Sequence, residues 1–242
     1  MLPICNRMGG NQFTFQGTSY HTSANSPVSP LYIHGDGWLE EWDLAERSDH
    51  AVTLALYHEA SNVSPFTYSA QQIIALEAAC LHMTLSVTNK GAKAMPFGFG
   101  FHPFFPRSND MTVMFKSSGH WENNVDMLPK TWTPSAGEMD FNSARHLPER
   151  RIDNCFMGWD GRAEIIWPAQ DMALRIEADD IFKTCQVYAP QNQAFFCFEP
   201  MTHLANGLSQ KDYPGFKILQ PDETLSERVK FHVYDRAYSA AR

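Results

Sequence analysis

Two residues of this chain are suited by type and setting to move protons: Glu199 and His102. Glu199 closes the apolar run Phe195-Phe196-Cys197-Phe198 and is followed at once by Pro200. Aromatic-rich runs of this length read as buried strands. Proline does not continue a central strand, so the run predicts a strand that ends at Glu199, with the carboxylate at its mouth and half out of water. A carboxylate held there takes up its proton more readily than usual, which suits a base working near neutral pH. On this segment alone, an ordinary solvent-facing glutamate is the plainer reading. His102 repeats the grammar: Phe99-Gly100-Phe101, one titratable group, then Pro103. Histidine is the side chain that exchanges protons most easily near pH 7. Alone, it reads equally well as a hydrogen-bonded core histidine.

Three more segments set polar groups against apolar neighbours. They are Asn6-Arg7 after Pro3-Ile4-Cys5, His34 in Ile33-His34-Gly35-Asp36-Gly37-Trp38, and Asp153-Asn154 between Ile152 and Cys155-Phe156. None is specific singly; their order along the chain is. In that order the chain resembles the aldose 1-epimerase (galactose mutarotase-like) family. The matching elements are Asn6-Arg7, His34-Gly35, Phe101-His102-Pro103-Phe104-Phe105, Asp153-Asn154-Cys155-Phe156 and Phe198-Glu199-Pro200, with Pro221 to Leu225 as the turn before a last strand. The resemblance runs from Pro3 to about His232 and looks most like an uncharacterised bacterial branch of the family. It implies interconversion of the α and β anomers of a free hexose such as galactose, with no cofactor and no metal. Such a reaction needs one base and one acid. By resemblance and by chemistry Glu199 is the base and His102 the acid, with His34 sharing the ring-oxygen or hydroxyl contacts. Arg7, Asp153 and Asn6 suit a substrate whose surface is mostly hydroxyl. Trp38 reads as a stacking platform for the sugar ring or, equally, as loop packing.

Other readings stay open. His34, His102, His203, Asp153 and Glu199 are all metal-ligand types, but no His-x-His or His-x-x-x-His spacing joins them. A non-catalytic carbohydrate-binding module or an inactive relative would keep Arg7, Asp153 and the aromatics without needing His102 and Glu199 together. A phosphosugar enzyme would want several cations at the site, and only Arg7 belongs to a site motif.

The elements that must position these groups read as strands. Leu81, Met83, Leu85 and Val87 alternate with polar residues, as do Met172, Leu174 and Ile176, and Val229, Phe231 and Val233. Leu54 and Leu56 behave likewise. Ala70 to Ala79 reads as a turn or two of helix, or as strand. Asn89-Lys90-Gly91, Trp159-Asp160-Gly161 and Asn206-Gly207 punctuate the runs. Strands in succession without intervening helices predict an all-β sandwich or barrel, and the resemblance implies a large antiparallel β-sandwich. The aperiodic stretch 122–151 reads as an excursion within a single domain over 1–242. Family members usually carry strands ahead of the Asn-Arg motif, which here begins at residue 6. The expectation is an N-terminally truncated sandwich with an uncovered edge, which pairing into a homodimer would protect.

Composition excludes several classes. With 43% apolar and 19% charged residues the chain is globular. Its net charge of -8 argues against nucleic acid. No apolar run approaches the roughly 20 residues of a membrane helix. No leader pattern opens the chain, and five scattered cysteines without a framework predict reduced thiols and a cytoplasmic protein.

Overall fold

The computed structural model describes residues 1–235; the expected single domain over 1–242 extends into 236–242, outside the described residues. Two large antiparallel sheets face each other. The larger has eight strands. In spatial order they are Asp43–Arg47, Ala51–His58, Tyr68–Glu77, Cys80–Asn89, Thr224–Asp235, Met172–Ala178, Arg162–Trp167 and Thr112–Phe115. The smaller runs Pro129–Pro134, Gly119–Asn123, Ile152–Met157, Thr184–Ala189, Phe195–Met201 and Phe104–Pro106. Two short two-stranded pairs, the hairpin of Gln12–Phe15 with Thr18–His21 and the long-range pair of Met95–Phe97 with Lys217–Leu219, complete the β-structure. Regular helix is limited to four three-residue 3-10 turns among the described residues. The expected all-β sandwich is therefore the fold.

Side-chain alternation explains how the smaller sheet serves two environments at once. Along Phe195–Met201, Phe196 and Phe198 point between the sheets and are fully buried. There Phe198 meets Phe115 edge-on with ring centres 5.1 Å apart, and Trp159 at 5.4 Å. Cys197 and Glu199, one residue out of phase, must point to the opposite face. The core between the sheets thus anchors the strand, and its register aims the carboxylate.

One alternative is resolved and one expectation corrected. Of the two readings of Ala70–Ala79, helix or strand, the strand holds. Tyr68–Glu77 is a strand, and Ala78, with φ 51°, makes the two-residue hairpin to Cys80 that such a loop conformation favours. Glu199 is not at a strand mouth. The strand continues through Pro200 to Met201, and Glu199 is only 2% exposed. The reason is which edge Pro200 faces. Its carbonyl accepts from the Phe101 N–H at 3.0 Å, on the side away from Thr184–Ala189. In extended chain the N and C=O of one residue point the same way, so the missing N–H subtracts nothing from the ladder to Thr184–Ala189.

The stretch 122–151 is an excursion that returns to the same core. It supplies the edge strand Pro129–Pro134 and buries Met139 and Phe141, the latter stacked on Phe115 at 5.1 Å.

Candidate functional site

A grid of side chains on the outer face of the smaller sheet forms the floor of a cleft. Register sets Cys155, Gln186 and Glu199 side by side across three strands. The next row is Asp153, Tyr188, Cys197 and Phe104. Both rows project to the same face, because the positions within each strand are two apart.

The loops from the N-terminal region close the cleft from above. Asn6 has φ 55° and His34 φ 59°, conformations that asparagine and histidine tolerate better than most residues. The two residues lock each other. The His34 N–H donates to the Asn6 carbonyl at 2.9 Å, and the Asn6 N–H donates to His34 Nδ1 at 3.1 Å. His34 Nδ1 is thereby an acceptor, so its proton sits on Nε2 and is available as a donor. Asn6 Oδ1 accepts from the Arg7 N–H at 2.9 Å and from its guanidinium at 3.3 Å, which orients the cation. Gly35, with φ 71°, lies so close to Leu2 that an added Cβ would fall 2.0 Å from the Leu2 carbonyl oxygen. Behind this loop a buried network holds it down. The Tyr32 hydroxyl donates to Asp36 at 2.5 Å, and His58 bridges Asp36 at 3.3 Å and Glu40 at 3.2 Å. The Trp38 indole N–H points back to the carbonyls of Ile33 and Gly35 at 3.1 and 3.0 Å, leaving the ring 42% exposed beside His34.

The result is a cleft of about 560 Å³ lined by all seven residues singled out from the sequence: Asn6, Arg7, His34, Trp38, His102, Asp153 and Glu199. At its floor His102 Nε2 lies 3.2 Å from Glu199 Oε1. His34 and His102 meet edge to face with ring centres 5.4 Å apart. Burial, and next the charge of Asp153, push the Glu199 carboxyl well above its ordinary value. Burial lowers His102, and burial together with the neighbouring His102 lowers His34 well below the usual imidazole range. Glu199 Oε2 and His102 Nδ1 are buried without a hydrogen-bond partner.

The cleft also contains residues that the sequence reading missed. Gln186 donates to Asp153 Oδ1 at 2.7 Å, and Arg151 pairs with Asp153 Oδ2 at 2.8 Å, so the carboxylate is fixed from both sides. Tyr188 and Phe104 add aromatic walls. A glutamine in the otherwise apolar run Cys185-Gln186-Val187 was the one visible signal for Gln186.

Comparison with known proteins bears on the family and the fold. The family model described as aldose 1-epimerase matches residues 1–232. The uncharacterised Escherichia coli K12 protein YphB is 33% identical, with 96% of this chain and 82% of YphB aligned. A crystal structure from Escherichia coli K12, of a protein proposed to be an aldose 1-epimerase, superposes with a TM-score of 0.93 at 31% identity. It covers 97% of this chain and 82% of that one. A galactose mutarotase-like protein from Clostridium acetobutylicum shares the fold, with a TM-score of 0.83 at 20% identity over 96% of this chain and 78% of that one. With the motifs gathered in one cleft and the family model spanning nearly the whole length, the chain belongs to the aldose 1-epimerase family.

Proposed function

We propose that this protein is a mutarotase that interconverts the α and β anomers of a free hexose. The observation that carries this reading is the His102–Glu199 pair, 3.2 Å apart on the floor of a cleft whose size falls within the roughly 300–1,000 Å³ of small-ligand sites. Ring opening requires a proton taken from the C1 hydroxyl and a proton given to the ring oxygen. Those two oxygens are bonded to the same carbon, so an adjacent base and acid can serve both. Glu199 takes the hydroxyl proton and His102 supplies the ring oxygen. The C1–C2 bond then turns, and closure on the other face runs the transfers backwards. Burial makes the ionised Glu199 a stronger base than an exposed carboxylate, and it weakens the hold of His102 on its proton. His34 donates from Nε2 to a sugar oxygen, Arg7 donates to hydroxyls, Asp153 accepts from them, and Trp38 packs on the ring's apolar face.

The test is polarimetry on a panel of free aldoses, starting from α-D-galactose and α-D-glucose. Equilibration faster than buffer, without cofactor, is the expected result. No acceleration for any sugar would favour a carbohydrate-binding module or an inactive relative.

A further inference from the structure

The proposed reaction uses a base and an acid, yet a third reactive group shares their position. Cys197 stands two residues before Glu199 on the same strand and the same face, in a row between Tyr188 and Phe104. Its Sγ, a ring nitrogen of His102 and a carboxylate oxygen of Glu199 all lie within 4.8 Å of one another. The group offers one nitrogen, one sulfur and one oxygen, the donor types of four-coordinate zinc; His102 and Glu199 line the cleft, and Cys197 is fully buried beside them. The 3.2 Å between His102 Nε2 and Glu199 Oε1 is already close to the ligand–ligand edge implied by metal bonds of about 2.0–2.2 Å. Only the sulfur has to approach.

We propose that His102, Cys197 and Glu199 form an inhibitory site for one thiophilic divalent cation, with zinc as the natural instance and water or a sugar hydroxyl in the fourth position. Magnesium and calcium do not suit it, because they require oxygen ligands in larger number. A thiolate selects the softer ions. Binding releases the thiol proton and any proton held between His102 and Glu199. His102 lies outside any strand and its side chain is 28% exposed, so a turn of its ring opens the way to the buried sulfur. The bound ion occupies both atoms that would transfer protons, so sugar and metal exclude each other.

The experiment uses cadmium and zinc on the full chain carrying Cys80→Ser, which removes the half-exposed thiol. Calorimetry is expected to give one ion per chain. Cadmium is expected to produce the ultraviolet thiolate-to-metal charge-transfer band. Cys197→Ser should abolish the band and weaken zinc at least tenfold, and His102→Asn should weaken zinc at least tenfold with its fold verified by near-ultraviolet circular dichroism. His102→Asn decides the matter if Cys197→Ser does not fold. Absence of stoichiometric binding, or wild-type affinity in a folded variant, overturns the proposal. The readout is independent of turnover: zinc bound by a protein that accelerates no sugar keeps this site and removes the mutarotase reading, whereas turnover without metal binding does the reverse.

Discussion

Glu199 carries a charge-bearing group where the surroundings disfavour charge. At 2% exposure it has Asp153 nearby and His102 as the side chain paired with one of its oxygens. Glu199→Gln removes the proposed base but keeps the shape, and His102→Asn removes the proposed acid. Each is expected to lower turnover about a hundredfold or more, the usual scale for losing one proton-transfer group. Arg7→Ala should act mainly on KM, since its guanidinium touches Asn6 and the cleft, not the reacting pair. Near-wild-type turnover in Glu199→Gln would assign the base elsewhere. In the proposed mechanism side chains complete both proton transfers, so turnover should survive EDTA. Loss of activity on chelation, regained with one added divalent ion, would instead make the metal essential.

The segment that brings Asn6 and Arg7 to the cleft is held by a histidine whose protonation state is fixed by geometry. His203 Nδ1 donates to the Leu204 carbonyl at 2.8 Å, and Nε2 accepts from the Cys5 N–H at 2.9 Å. The ring stacks on Phe216 with centres 3.9 Å apart, and Gly98 packs so closely that a Cβ there would come within 2.4 Å of Cδ2. A second ring proton would set one N–H against another. Burial accordingly lowers the pKa of His203 from 6.5 to about 4. Between these values the unfolded chain binds the extra proton and the folded chain does not. Stability is therefore complete above about pH 6.5 and declines as pH falls toward 4, by roughly 3 kcal/mol at most. Urea melts across this range should show the decline, and His203→Gln should flatten it while starting less stable at pH 7. Equal slopes in the two proteins would attribute the acid sensitivity to other groups. This clamp was not readable in the sequence, where His203 is a histidine after a strand, read only as a metal-ligand type. The seven cleft residues were readable because each stands in a local motif. Gln186 and Cys197 were not, because what marks them is a row across strands at right angles to the chain. The burial of Glu199 was misjudged for a related reason: the sequence shows that Pro200 lacks an N–H, not which edge of the strand that atom faces.

At the scale of the molecule, the eight-stranded sheet ends on Asp43–Arg47, an exposed strand carrying Asp43, Glu46 and Arg47 with a register shift between Leu44 and Glu46. Charges and irregularity of this kind blunt an edge against pairing. One broad face nearby is less protected: Tyr57 and Ile73 share a side of the sheet and are 62% and 38% exposed. Burying such side chains is worth about 25 cal/mol per Å². The homodimer expected from the sequence therefore has a face to use, more than an edge. Sedimentation at micromolar concentration should detect the dimer, and Tyr57→Lys with Ile73→Lys should return it to monomer. A wild-type monomer that melts cooperatively would end that expectation. No helix among the described residues is long and apolar enough to cross a membrane.

The hydrogen bond from Cys5 to His203 spans 198 positions of chain, and that span imposes an order of events during synthesis. Asn6 and Arg7 leave the ribosome first, and the His203 ring that anchors their segment follows only when nearly all of the chain has been made. A message cut short before codon 203 would yield Asn6 and Arg7 without the His203 ring that anchors their segment, and so would leave the cleft unfinished. The same span makes this junction slow to form, because distant contacts are reached only after the intervening chain has collapsed. For most of its time on the ribosome, the protein's most chemically equipped end is its least finished.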